Sequence, residues 1–170
     1  MPLSMYQQAI PPLLHFLTNL KIILNKASAY REEKEIGEGV LESSRLFPDM
    51  FPLTRQVQIA TDVAKGCGAR LSQTEPLKLE DNETSFEALI ERVQKTIDYL
   101  QTFTPEQFDN SDEREIELKT PKGTLNFTGA NYLNYFVLPN VYFHITTAYA
   151  ILRTSGVSLS KMDYLNPPTA

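Results

Sequence analysis

The chain contains few of the residues from which redox and metal sites are usually built. It has one cysteine, Cys67, and two histidines, His15 and His144, among 170 residues. A single cysteine excludes an intramolecular disulfide and a cysteine-based zinc site, and it is compatible with a reducing compartment. Two histidines are too few for a three-histidine metal site. The sequence therefore excludes disulfide scaffolds, cysteine-based zinc sites and three-histidine metal sites.

An excess of positive charge and a long apolar run are also missing. Sixteen lysines and arginines stand against 21 aspartates and glutamates, which gives a net charge of −5. Nucleic acids and anionic membranes require a concentrated basic patch, so we expect neither as a partner. No run of about twenty residues is apolar enough for a membrane span, and no signal peptide is recognisable. We therefore expect a cytoplasmic protein with one globular domain over residues 1–170.

Several common catalytic motifs are absent as well. The sequence has no glycine-rich phosphate loop, no nucleophile elbow and no zinc-protease helix motif. Glu-x-x-His, the signature of di-iron helix bundles, occurs nowhere. A Ser-His-Asp triad stays open, although nothing in the sequence positions a serine near His144.

What the chain does have is apolar residues at helical spacing in four long segments. We predict helices over 4–33, 53–70, about 84–100 and 128–153, and a β-hairpin over 116–127, where the pattern alternates. Their predicted N-terminal caps are Ser4 with Gln7, Asp49, Thr84 with Glu87, and Thr128. We predict an all-α four-helix bundle with a small hairpin before its last helix.

Prolines and connection lengths add detail to this prediction. Pro11 and Pro12 are expected to kink or restart the first helix, and Pro139 to kink the last one. The connections between helices 1 and 2 and between helices 3 and 4 are longer than a hairpin needs, so we expect one long crossover. The loop at 45–53 is apolar, and we expect it to pack onto the protein.

Candidate site residues lie on the last helix, which is apolar on nearly every side. Asn140 and His144 stand four residues apart on one face and need polar partners there, and Thr147 follows them. A neutral imidazole near a carboxylate can act as a general base or a metal ligand. The candidate catalytic residues are His144 and Asp62, and the candidate binding residues are Asn140, Gln58, Arg55, Thr147 and Tyr30.

Two other interpretations of these residues stay open. Arg55, Gln58 and Asp62 share one stripe of the second helix, which is a solvated face with an internal ion pair or the wall of a cavity opposite His144. His144 is in turn a functional base or a buried histidine satisfied by a carboxylate or amide partner.

Two segments resemble a known family. Residues 45–62, RLFPDMFPLTRQVQIATD, and 142–153, YFHITTAYAILR, followed by Gly156-Val157 and Lys161-Met162-Asp163, are similar to a family of uncharacterised bacterial proteins, a domain of unknown function. That family looks like a branch of the DinB/YfiT-like superfamily. The resemblance covers residues 4–165 and implies a four-helix bundle, often dimeric.

The superfamily implies a metal site that this chain matches only in part. Many members bind a divalent metal through one histidine on helix 2 and an His-x-x-x-His pair on the last helix, and some resemble thiol-dependent transferases. Only His144 matches, because Asn140 takes the first position of the pair and helix 2 has no histidine around 56–58. We therefore predict no tightly bound cofactor; a divalent metal, if one binds, would use His144, weakly.

Three hypotheses follow from the sequence. The first is a pocket for an unknown small molecule around His144 and Asn140, in a degenerate relative of metal- and thiol-dependent transferases. The second is a non-catalytic structural or interaction protein, a homodimer whose polar core residues satisfy one another. The third is a metalloenzyme, and it predicts stoichiometric metal in the purified protein.

Overall fold

Four long helices make up most of the molecule, as predicted. The computed structural model describes residues 3–168, so the ends of the predicted 1–170 domain lie outside the described residues. The helices of the bundle are α1 (Met5–Glu33), α2 (Leu53–Ser72), α3 (Phe86–Gln101) and α5 (Leu138–Thr154). The smaller elements are β1 (Glu115–Thr120), β2 (Gly123–Thr128), α4 (Gly129–Tyr132) and α6 (Lys161–Leu165). Over residues 3–168, no helix is both long and apolar enough to cross a membrane.

The long crossover joins α2 to α3. Thr61 contacts Arg92, and the Cα of Gly68 lies against the ring of Phe103, so α2 and α3 run in the same direction. The chain between them, residues 73–85, must therefore return along the length of the bundle. One long crossover was predicted, but between helices 1 and 2 or between helices 3 and 4, whereas it lies between α2 and α3. The length of a connection does not identify the crossover, because the 13 residues between α2 and α3 span the length of the bundle when they are extended.

The remaining helices pack in opposite senses around this parallel pair. Gln56 meets His144, and Arg70 meets Tyr132, so α5 runs antiparallel to α2. Lys21 meets Gln94 and Arg31 meets Glu87, so α1 runs antiparallel to α3. The apolar stripes of all four helices meet in one core.

Helix α1 begins at the predicted capping box and continues through both prolines. The Ser4 hydroxyl accepts from the Gln7 amide at 3.2 Å, and the Gln7 side chain accepts from the Ser4 amide at 2.9 Å. The restart considered for Pro11 and Pro12 does not occur, because the helix is unbroken from Met5 to Glu33. An internal proline costs about 3 kcal/mol, whereas each fully buried leucine or isoleucine contributes about 1.5–3 kcal/mol. The buried apolar face of this helix therefore outweighs the two missing amide donors.

The predicted starts of α2 and α3 were wrong in detail. Pro52 occupies the N-cap of α2 and Asp49 is exposed in the preceding loop, so no side chain caps that helix. Ser85, and not Thr84, caps α3 by accepting from the Ala88 amide at 3.2 Å. The two hydroxyl residues are adjacent, and a spacing pattern does not distinguish them.

The loop at 45–53 packs onto the protein less than predicted. Its last residue, Leu53, is fully buried, but Phe47 and Phe51 are 62% and 56% exposed. Leu46 is 39% exposed. The expectation that this apolar loop lies down on the protein is therefore wrong for most of its large side chains.

The hairpin and the start of the last helix match the prediction. β1 pairs with β2 from Glu115↔Thr128 to Thr120↔Gly123, and the Thr128 hydroxyl caps the helix that follows by accepting from the Asn131 amide. The helix contains a wider π turn, Leu133–Val137, immediately before α5. This turn lies just ahead of Pro139, where a missing amide disturbs regular helical bonding.

The other histidine fixes the C-terminal segment. His15 Nε2 donates to the Leu165 carbonyl at 2.7 Å, and the Asn19 amide donates to the Tyr164 carbonyl at 2.9 Å. Lys26 pairs with Asp163 at 2.5 Å. His15 is partly buried and holds α6 against α1.

Candidate functional site

His144 lies on α5 against the first turn of α2. Its Nδ1–H donates to Oε1 of Gln56 at 2.6 Å, and Nε2 of the same glutamine donates to the Phe51 carbonyl at 3.0 Å. The second bond fixes the orientation of the amide, so its oxygen faces the imidazole. The proton therefore lies on Nδ1, and Nε2 carries a lone pair.

The surroundings keep this imidazole neutral. Burial lowers the pKa of His144 from 6.5 to about 4, and the positive charge of Arg55 acts in the same direction. Gln56 is 2% exposed and uncharged, so it offers no carboxylate to stabilise a protonated ring. At neutral pH the ring is a hydrogen-bond acceptor at Nε2.

Two aromatic residues beside this pair are exposed. Phe143 is 58% exposed, and its ring is 5.2 Å from that of His144 in an edge-on arrangement. Phe51 is 56% exposed, and its carbonyl already belongs to the Gln56 hydrogen bonds. The imidazole therefore lies next to exposed apolar surface, which the Phe143 ring supplies.

The other candidates on α5 have different surroundings. Asn140 is partly buried one helical turn before His144. Thr147 is 6% exposed, and its hydroxyl donates to the Phe143 carbonyl at 2.7 Å. The Thr147 hydroxyl is therefore satisfied within the helix, whereas Asn140 lies one turn from His144 on the same face.

The polar stripe of α2 meets the crossover segment. Arg55 pairs with Asp81 at 2.6 Å and donates to Gln58 at 3.1 Å. The Gln58 amide donates in turn to Glu83 at 2.8 Å. The structure therefore brings Arg55 and Gln58 together with acidic residues of 73–85. Arg55 acts on His144 through its positive charge, which lowers the pKa of the imidazole.

Asp62 belongs to the same group of charges. Its Oδ1 pairs with Arg92 at 2.7 Å and with Lys65 at 2.8 Å. The hydrogen-bond partner of the His144 ring is an amide, so the structure does not bring the two candidate catalytic residues together.

Arg92 is the centre of this cluster, and sequence reasoning missed it. Its side chain is 1% exposed and also pairs with Asp81 at 3.1 Å and Glu83 at 2.8 Å. Its Nε donates to the Thr61 hydroxyl at 2.7 Å, and Nη1 donates to the Glu80 carbonyl at 3.0 Å. A signal existed, because Arg92 lies three residues after Leu89 on the buried face of α3. We call Arg92, Asp62, Asp81 and Glu83 the Arg92 cluster.

Gln56 is the second residue that sequence reasoning missed. It lies three residues after Leu53 and four before Ala60, both fully buried, so a polar side chain there faces the core. Tyr30, by contrast, lies far from the imidazole. Its hydroxyl approaches Gly156, twelve residues beyond His144 on the chain, or about 18 Å along a helix.

The residues around His144 do not fit the divalent metal that the resemblance implies. One imidazole and two neutral amides, Asn140 and Gln56, are poor ligands for a borderline metal such as zinc. Within residues 3–168, no three His, Cys, Asp or Glu side chains are grouped so that they could hold a metal ion. We therefore derive no chemistry through a metal.

Comparisons with known proteins agree with this architecture. The family model "Domain of unknown function (DUF1993)" matches residues 5–165. The chain is similar to a DinB family member protein from Shewanella denitrificans, whose crystal structure it matches with a TM-score of 0.89 and 38% sequence identity. That match covers 97% of this chain and 93% of the other. No curated protein matches the chain. The chain therefore belongs to the DUF1993 family, and its fold is that of a DinB-like four-helix bundle.

Proposed function

We propose that the surface around His144 is a small-molecule binding site in which the imidazole accepts a hydrogen bond from the ligand. The observation that carries the proposal is the 2.6 Å bond from Nδ1 of His144 to Gln56. It leaves the Nε2 lone pair as the free polar group of the ring. The exposed ring of Phe143, 5.2 Å from the imidazole, supplies apolar surface beside it. The ligand class is a small molecule with an N–H or O–H donor and an apolar part.

The pKa of the ring favours binding over base catalysis. A general base works best when its pKa is near the working pH. An imidazole whose pKa is lowered to about 4 accepts protons weakly at pH 7, although it still accepts hydrogen bonds. His144 is thus proposed as a ligand-orienting residue, with Asn140 as the neighbouring amide. No resident metal is required, and the site is a degenerate relative of the metal-dependent transferase sites.

A fragment screen by ligand-observed NMR tests this proposal. Fragments with one N–H or O–H donor on an aromatic ring should bind the wild type. His144→Phe, which keeps the ring volume and removes the acceptor, should lose them. Thr146→Ala, an exposed change on the same helix, is the matched control. Equal binding to all three proteins would refute the role of His144.

A second candidate function is a non-catalytic interaction protein that forms a homodimer. The observation in its favour is the exposure of Phe47 and Phe51 on one loop and of Phe143 on α5, because exposed apolar side chains serve as interaction surface. In this case His144 and Gln56 satisfy each other and only stabilise the fold.

Sedimentation equilibrium tests the second candidate. Wild type and Leu125→Ser, which changes an exposed leucine on the hairpin, should be dimers, and Phe47→Ser should be a monomer. A monomeric wild type would refute the dimer, and a dimer that Phe47→Ser leaves intact would exclude this surface.

A further inference from the structure

We propose that a cavity beside the C-terminal half of α2 binds a small organic monoanion, a carboxylate, through Arg70. The cavity has a volume of about 410 Å³, and its lining includes Lys65, Gly66, Ala69, Arg70, Thr74 and Pro76. Arg70 lies fourteen residues after Gln56 on the chain, or about 21 Å along the helix. The site is therefore separate from the surface around His144 and does not depend on the function proposed there.

The balance of charges leaves Arg70 without a partner carboxylate. Next to it, the three carboxylates of the Arg92 cluster are matched by three cations, namely Arg92, Lys65 and Arg55. None of the ion pairs within residues 3–168 includes Arg70, which is partly buried. A partly buried guanidinium without a counter-charge favours an anion.

Two neighbours hold the Arg70 guanidinium in place. Its Nη1 donates to the Tyr132 hydroxyl at 3.1 Å, and its Cζ lies 5.9 Å from the centre of the Tyr132 ring. The absence of a side chain at Gly66 makes room for it, since a Cβ there would collide with Nη1. The guanidinium is thus positioned by the fold rather than free in solvent, which lowers the entropy lost on binding.

The lining determines which anion fits. Asp62 and Lys65 both line the cavity and pair with each other at 2.8 Å, so Arg70 is its one unbalanced positive charge. A monoanion matches that charge, and a planar carboxylate matches the donor geometry of a guanidinium. Ala69 and Pro76 supply apolar walls, and the Thr74 hydroxyl is a further polar group at the cavity. The ligand class is therefore a carboxylate on a small apolar group.

The test is a titration of the wild-type protein, followed by ¹⁵N–¹H NMR, with three probes. Sodium benzoate carries the proposed chemistry, benzamide is its neutral isostere, and inorganic phosphate is a competing anion. Benzoate should give saturable shifts at the amides of Gly66, Ala69 and Thr74, and phosphate should bind more weakly. Benzamide binding as tight as benzoate, or tighter binding of phosphate, would overturn the proposal.

Two variants and their controls place the binding at Arg70. Arg70→Gln should weaken benzoate binding about tenfold or more, as expected when a charge-assisted hydrogen bond is lost. Arg153→Gln, at an exposed arginine of α5, should leave it unchanged. Thr74→Glu puts a carboxylate at the exposed edge of the cavity without touching the core, and it should abolish binding even if Arg70→Gln does not fold. Asn25→Glu, on the exposed face of α1, is its control.

Two results would overturn the site. Equal benzoate binding by Arg70→Gln or Thr74→Glu and by the controls would show that Arg70 does not hold the anion. Loss of benzoate binding in His144→Phe would show that the two sites are not separate. Retention in His144→Phe together with loss in Thr74→Glu is the expected pattern, whatever the outcome of the fragment screen at His144.

Discussion

Replacing Arg92 with methionine should destabilise the protein far more than the same replacement of a surface arginine. Arg92 is 1% exposed and joins α3 to α2 and to the crossover segment. Methionine keeps most of the aliphatic side chain, so the change mainly removes the guanidinium and leaves only a small cavity. The change in the free energy of unfolding then measures how much the Arg92 cluster contributes to stability.

The magnitude depends on which carboxylates water can reach. Asp62 and Asp81 are 36% and 42% exposed, and they keep Lys65 and Arg55 as partners. Removing the Arg92 guanidinium therefore costs little stability at these two carboxylates. Glu83 is 8% exposed and would keep only the amide of Gln58. Breaking one side of a buried ion pair costs about 3–5 kcal/mol. We expect a loss in this range, dominated by Glu83.

Urea unfolding followed by circular dichroism measures this loss. Arg153→Met, an exposed control, should change the free energy of unfolding by less than about 0.5 kcal/mol. In a double-mutant cycle, Glu83→Gln with Arg92→Met should cost about 1–3 kcal/mol less than the two single changes added together. A loss below about 1 kcal/mol, or simple additivity, would refute the view that Arg92 and Glu83 form a buried pair.

Two further predictions concern His144. The unfolded chain binds a proton on this histidine near its ordinary pKa of 6.5, and the folded protein only near about 4, so stability should rise with pH between these values. The slope is at most about 1.4 kcal/mol per pH unit, and less because the ring is partly exposed. Urea unfolding at several pH values should show it, and an unchanged slope in His144→Phe would contradict the argument. In the second prediction, Gln56→His combined with Asn140→His should create a three-imidazole zinc site, because Gln56 already touches His144 and Asn140 is one turn away. Zinc should raise the Tm of the double variant and not that of Gln56→His alone; no rise would show that the three positions do not converge.

Most of the fold could be predicted from the sequence because local signals and burial agree. The apolar spacing of the four helices, the Ser4/Gln7 capping box and the alternating hairpin each depend on residues close together in the chain. The position of the crossover could not be predicted in the same way. It depends on which helices pack in parallel, and the contact of Gly68 with Phe103 that reveals this is not a local property.

The candidate site was harder to predict for the same reason. The sequence placed a polar pair, Asn140 and His144, on an apolar helix, and the structure gives His144 an amide partner. Which side chain of α2 meets that helix depends on its rotation, and this brings Gln56 and not Asp62 to the imidazole. Arg55 and Gln58 turn instead towards the acids of the crossover, whose position was not known, and Asp62 pairs with Arg92 and Lys65.

The most direct test of the account is a ¹⁵N NMR titration of the His144 ring nitrogens in the wild-type protein. The account predicts a neutral ring at pH 7 with its proton on Nδ1, held by Gln56, and protonation of Nε2 only near pH 4. The resonance of Nε2 should not change when zinc is added. A proton on Nε2, a pKa of 6.5 or higher, or a zinc-dependent shift of that resonance would contradict the account.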